Sequence, residues 1–246
     1  MEGAAVLGRL SWQLADVVEL RDETPRARSI VLAAPDWQGH RAGQHVDVRL
    51  TAEDGYQAQR SYSIASAPED EHLVLTVERL EDGEVSPYLV DELRPGDQLE
   101  LRGPIGGYFV WETELGGPLL LLAGGSGIVP LRCILRHRAA AGSAVPARLL
   151  YSSRSLAEVI YRDELERAAD GVDVRLTLTR EQPEGWTGYA RRIDGVLLAE
   201  LAWPAGESPL TYICGPTAFV ETAASALVRL GHEPQRIRTE RFGPTG

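Results

Sequence analysis

The sequence predicts a two-domain protein of class β plus α/β, with a six-stranded antiparallel barrel over residues 1–112 and a parallel-sheet α/β domain over residues 113–246. Three observations carry this. Short runs of strand periodicity recur between Gly, Pro and Asp up to about residue 112. Beyond it, buried strands alternate with helical patterns. A glycine-rich loop, Gly124–Gly127, joins the first of those strands to the first helix.

The barrel strands are read at Gln13–Leu20, Arg28–Ala33, Gln44–Leu50, Gln59–Ile64, Leu73–Arg79 and Gln98–Arg102. Within the third, Val46, Val48 and Leu50 alternate with Asp47 and Arg49, a period of two that puts one face in and one out. In the second half, Pro118–Ala123 is an apolar run that reads as a fully buried strand, followed by a helix through about Ala141. Ala147–Ser153 is the next strand, Leu156–Ala169 a helix, Val172–Thr179 and Leu210–Cys214 further strands, and Thr217–Leu230 a closing helix. The join, Trp111 to Gly117, is short, so the two domains are expected to pack closely around a ligand crevice.

Composition narrows the function. The chain has 246 residues and a net charge of -11, which disfavours binding to phosphodiester backbones. Two cysteines, Cys133 and Cys214, are too few for an iron–sulfur cluster, and the five histidines lack metal-ligand spacing. The longest apolar run falls far short of the ~20 residues that span a bilayer. Met1–Ala5 lacks the basic start of a signal peptide, so a cytoplasmic protein is expected, with no membrane and no nucleic-acid partner.

Five segments carry candidate chemistry. In Arg60–Ser61–Tyr62–Ser63, alternate residues of a strand face one side, so a guanidinium and a phenol would meet one ligand; an ordinary strand with a surface arginine reads the same way. In Gly83–Glu84–Val85–Ser86–Pro87, Ser86 reads as a helix N-cap with proline behind it, and Gly83 permits close approach of a bulky anion. A helix start without a ligand is the commoner case. Gly124–Gly125–Ser126–Gly127, with Pro130 in the following turn, has the strand-loop-helix context of a dinucleotide site but lacks the third glycine of the usual fingerprint. Ser153 and Arg154, with Arg162, carry no acid for ribose hydroxyls and suit a 2′-phosphate, which favours NADPH over NADH; a solvated loop arginine is the alternative. Cys214–Gly215–Pro216 ends a buried strand, where a cysteine is either core or crevice wall. Arg132, Arg136, His137 and Arg138, and the pair Arg191 and Arg192, could steer an acidic carrier, though a solvated helix face is the preferred reading.

Taken in order, the R-x-Y-S strand, G-x-V-S-x-Y-L, the run Gly103–Phe109, GGSGIVP, YSSR and CGP resemble the ferredoxin–NADP reductase superfamily from about Ser11 to Phe242. The resemblance implies a Greek-key flavin barrel followed by a Rossmann-like nucleotide domain. It also implies roles. Arg60 and Ser86 would hold the pyrophosphate of FAD (FMN is the lesser alternative), with Ser61, Val77, Gly83 and Val85 around it. Tyr62 would stack on the flavin and Ser63 would lie at its N5. Gly125, Ser126, Gly127, Cys214, Gly215 and Pro216 would contact the nicotinamide nucleotide, Phe242 would be the nearest candidate to cover the flavin, and Glu240 would relay a proton. The chain contains nothing that can be a cluster module, so an external acceptor protein is expected: a ferredoxin, a haem protein or an oxygenase component. A flavin or siderophore-iron reductase, and a flavin-binding subunit without turnover, are the rival readings.

Overall fold

The protein is described here by a computed structural model covering residues 10–167 and 171–243. Six strands, β1 (Gln13–Thr24), β2 (Ala27–Ala33), β3 (His45–Thr51), β4 (Gln57–Ser63), β5 (Leu73–Glu78) and β6 (Gln98–Ile105), form one antiparallel sheet in the order β4-β3-β6-β1-β2-β5. The pairing of β6 between β1 and β3 is the crossover of a Greek key. Alternating apolar residues fill the interior: Val46 and Val48 of β3, Leu73, Leu75 and Val77 of β5, and Leu99 and Leu101 of β6 are all buried together. The two end strands curl towards each other and pair at Ile64 and Leu75. Ahead of that bridge, the Gln57–Tyr62 stretch of β4 forms one lip of the barrel mouth.

The second sheet is parallel, in the order β11-β10-β7-β8-β9, from β7 (Leu119–Gly124), β8 (Ala147–Ser153), β9 (Val172–Leu178), β10 (Leu210–Pro216) and β11 (Ile237–Phe242). Central β7 is buried along its whole length, as a strand covered on both faces must be. Helix α1 (Ile128–Ala140) packs Ile128, Leu131 and Ile134 on Leu119, Leu121, Leu149 and Tyr151. On the opposite face, α3 (Gly195–Leu201) and α4 (Thr217–Arg229) pack Leu197, Leu198, Val220, Ala223 and Leu227 on Leu120, Leu122 and Ile213. Asp194 caps α3 by accepting from the Leu197 N–H at 2.9 Å.

The expected helix Leu156–Ala169 is broken. A single turn, Leu156–Glu158, precedes a short α2 (Arg162–Glu166), and Tyr161 between them has a left-handed φ of 60°. Residues 168 and 169 of that expectation lie outside the described residues. The cause is tertiary: the Tyr161 hydroxyl donates to Thr76 Oγ1 on β5, and its ring lies 4.3 Å beneath the Arg132 guanidinium.

The face of α1 carrying Arg132 and Arg136 is partly exposed, and its cations are taken up in ion pairs. It is the seam between the two sheets. Arg136 pairs with Asp70 at 2.8 Å, Arg132 donates to the Ala65 carbonyl at 3.0 Å and pairs with Glu164, and His137 meets Glu69 at 2.7 Å. The Cys133 thiol donates to the Ser66 carbonyl at 2.9 Å. Arg138 is buried and donates to the Val145 carbonyl. Ala27, Ala42, Ala65, Phe109 and Trp111 from the barrel side join the core of α1 and the parallel sheet, so the two halves share apolar packing.

Candidate functional site

The barrel mouth is built by β4. Arg60 lies across from Val48 and Tyr62 across from Val46 in the antiparallel register, so both side chains project to the interior side of the sheet at its open edge. Tyr62 is partly buried, burial pushes its phenol far up, and among the described residues its hydroxyl has no hydrogen-bond partner. Ser61 points the other way. Its hydroxyl donates to Asp47 Oδ1 at 2.6 Å, and Arg102 donates to Asp47 Oδ2 at 2.6 Å. Burial raises the Asp47 carboxyl, but these two bonds outweigh it and hold the group below the usual carboxylate range. Ser61 therefore braces the strand from behind rather than facing a ligand with Arg60 and Tyr62.

Ser63 ends β4 directly opposite His45. His45, which the sequence reading passed over, therefore lies beside the Ser63 end of β4. Burial lowers its imidazole pKa, and its ring lies against Gly106, where an added Cβ would fall 3.4 Å from Nδ1. Its pairing with Ser63 is set by the antiparallel register of β3 and β4, which alternation within β3 alone does not reveal.

The loop Gly83–Ser86 forms the facing lip. A Cβ on Gly83 would lie 2.8 Å from Ser86 Oγ, so a larger residue there would push on the hydroxyl that closes the loop. Ser86 is not the expected N-cap. Its buried hydroxyl accepts from the Leu80 N–H at 3.0 Å and closes the loop, while the helical turn Tyr88–Glu92 has no side-chain cap. Val85 and Val77 are buried in the barrel core and have no side-chain surface to offer a ligand.

The carboxyl end of the parallel sheet gathers the other segments. Gly125 has φ +55°, and a Cβ on Gly127 would lie 2.1 Å from the Cys214 carbonyl oxygen. The glycine loop thus rests directly on the Cys214–Gly215 backbone, with Ser126 partly exposed at its tip. Cys214 pairs in register with Ala123 on one side and Glu240 on the other, and Pro216 pairs with Phe242. The Cys214 thiol is pushed well up by burial and by the neighbouring Glu240. Burial raises the Glu240 carboxyl to about 7. Phe242, at 37% exposure, flanks this cluster. The two halves of the site meet where Glu78, ending β5, brings Oε2 to 3.7 Å from the Cβ position of Gly125.

At the next strand end, Ser153 is buried and donates to the Ser155 carbonyl at 3.1 Å, so it shapes the turn. Arg162 is held by Glu166 at 2.8 Å on its own helix. Arg154 is exposed, and its carbonyl accepts from the N–H groups of Arg180 at 2.9 Å and Glu181 at 3.0 Å. Neither the Arg154 nor the Arg180 guanidinium has a partner among the described residues. Arg180 went unread in the sequence because it sits past the end of β9, and only the tie between the two strand ends places it beside Arg154.

Residues 16–110 match the family model described as an oxidoreductase FAD-binding domain, and residues 121–225 that of an oxidoreductase NAD-binding domain. Ferredoxin–NADP reductase B of Sorangium cellulosum is 34% identical over 238 residues, covering 93% of this chain and 96% of that protein. The chain belongs to the ferredoxin–NADP reductase superfamily. Another member, the ferredoxin reductase component of 3-ketosteroid-9-alpha-monooxygenase from Mycobacterium tuberculosis, is 33% identical over 245 residues; the chain spans 65% of that relative's length. Among solved members, the flavohaem-like FAD/NAD-binding domain of nitric oxide dioxygenase from Vibrio cholerae superposes with a TM-score of 0.84 at 28% identity, covering 94% of this chain and 99% of that one. A cytochrome P450 reductase from Amycolatopsis gives 0.84 at 28%, covering 99% and 74%.

The residues fit the superfamily's cofactor. The Arg60 guanidinium, suited to a phosphate, and the Tyr62 phenol, suited to a planar ring and with no hydrogen-bond partner among the described residues, lie on the same side of β4.

Proposed function

We propose that the chain is an NAD(P)H-dependent FAD reductase that takes hydride onto the flavin and passes electrons singly to a separate redox protein, such as a ferredoxin, a haem protein or an oxygenase component. The observation that carries this is the meeting of the two half-sites: the barrel mouth of Arg60 and Tyr62 and the nucleotide cradle of Gly125, Gly127 and Cys214 adjoin at Glu78 and Gly125. The relatives, reductase components of monooxygenases and a ferredoxin–NADP reductase, support the same reading. The flavin site lies on residues 1–112 and the nicotinamide site on 113–246.

Bound FAD supplies a centre that accepts two electrons together and releases them one at a time. The chain's own residues then have distinct tasks. Arg60 anchors phosphate, Tyr62 and Ser63 wall the flavin ring, and the Gly83–Ser86 loop lets backbone N–H groups approach the diphosphate. Gly127 keeps the nicotinamide nucleotide's loop pressed to the Cys214 strand, so a nicotinamide beside Cys214 is oriented for transfer. Glu240, with its carboxyl raised to about 7, holds a proton at the crevice near neutral pH. Arg154 and Arg180 together suit a 2′-phosphate, which favours NADPH over NADH.

The test is steady-state reduction of a one-electron protein acceptor against reduction of free riboflavin, each driven by NADPH. Saturable turnover with the protein acceptor is expected. Saturable reduction of riboflavin with no transfer to any protein acceptor would replace this reading with that of a small-molecule flavin reductase.

A further inference from the structure

In the described structure the phosphate anchor already holds a carboxylate. Arg60 Nη2 donates to Glu84 Oε2 at 2.6 Å, and Nη1 donates to the Gln59 carbonyl at 2.7 Å. The other Glu84 oxygen accepts from the Tyr56 hydroxyl at 2.8 Å, so the carboxylate is located from two sides. Glu84 is itself part of the Gly83–Ser86 loop, and the acid thus projects from one lip of the barrel mouth to the arginine on the other. The hydrogen bonds from Tyr56 and Arg60 hold its carboxyl below the usual carboxylate range, so it is anionic at neutral pH.

A guanidinium offers a fixed fork of donors, and phosphate and carboxylate oxygens compete for the same arms of it. We propose that Glu84 is an internal competitor for the flavin phosphate: its carboxylate occupies Arg60 in the free protein and is displaced when a phosphate-bearing flavin binds, which makes the cofactor exchangeable. This rests on the reading of Arg60 as the phosphate anchor. The side chains of the pair are 52% and 49% exposed, so water screens the contact and the exchange is shallow. When the competent form is only a fraction of the population, apparent affinity falls by that fraction. For an exposed ion pair the effect is about two- to fivefold. The opposite arrangement, in which Glu84 orients Arg60 for phosphate, predicts a change of opposite sign.

The experiment is titration of flavin-free protein with FAD and with riboflavin, followed by flavin fluorescence, for the wild type, Glu84→Gln, Arg60→Ala and the double variant. The proposal expects Glu84→Gln to tighten FAD about two- to fivefold, to leave riboflavin unchanged, and to have no effect when Arg60 is absent. An unchanged or weakened FAD affinity in Glu84→Gln overturns it, and so does equal tightening in the Arg60→Ala background, which would mean general charge rather than competition. If Arg60→Ala leaves FAD affinity intact, the anchor reading itself fails, and the competitor with it.

Discussion

Glu240 is a carboxyl whose surroundings work against its charge. Burial raises it from the ordinary glutamate range to about 7, so the folded protein binds its proton more tightly than the unfolded chain does. The stability it contributes is fully present below the unfolded value and is lost as pH rises through about 7, by up to about 3 kcal/mol. Glu240→Gln, which keeps the shape without the titration, is expected to melt at a higher temperature than wild type at pH 8 and at a similar one at pH 4. An unchanged difference between the two pH values would remove the burial argument. Arg60 and Arg154 make different promises. Arg60→Ala is expected to weaken FAD retention by about 2 kcal/mol or more, the scale of a charge-assisted hydrogen bond, and full flavin occupancy after extensive dialysis would count against it. Arg154→Ala should raise KM for NADPH and barely alter KM for NADH; equal effects on both would refute its 2′-phosphate role.

The glycine loop and its neighbouring strand behave as one element. Gly127→Ala would place a Cβ 2.1 Å from the Cys214 carbonyl oxygen, so loop and strand must separate. Overpacking of this kind costs about 1–3 kcal/mol, and KM for the pyridine nucleotide is expected to rise about tenfold or more. Flavin occupancy should be unchanged, because the barrel mouth does not depend on that contact; joint loss of both ligands would show that the halves are not separable. The elements the sequence reveals best are those whose pattern is local. The period-two alternation of Val46 and Val48, and the apolar run of β7, place strands within a residue or two. Tyr161 shows the limit, since a left-handed residue that breaks a helix is dictated by Thr76 and Arg132, both far away in sequence. β11 is similar: Ile237 is its only fully buried residue, and the charged run behind it becomes a strand because β10 offers a parallel edge. Among the motif positions, Arg60 and Tyr62 share one side of β4, and Gly127 rests on the Cys214 backbone. Ser61, Ser86 and Val77 turn out to be supports, because strand parity and a loop-closing hydrogen bond decide where their side chains go.

At the scale of the whole molecule, function depends on two sheets held in a fixed relation. Arg136–Asp70, His137–Glu69, the Arg132 bond to Ala65, and the Tyr161–Thr76 bond all cross the seam, and Phe109 and Trp111 bury apolar surface in it. The relation brings the end of β5 against the glycine loop, which is where a flavin and a nicotinamide would have to touch for hydride transfer. The most direct test of that arrangement is the anaerobic absorption spectrum of the purified, FAD-loaded protein before and after NADPH, with NADH in a parallel cuvette. Flavin bands are expected to bleach within seconds, faster with NADPH than with NADH. A protein that stays colourless after exposure to FAD, or bound flavin that neither nucleotide bleaches, would contradict that arrangement.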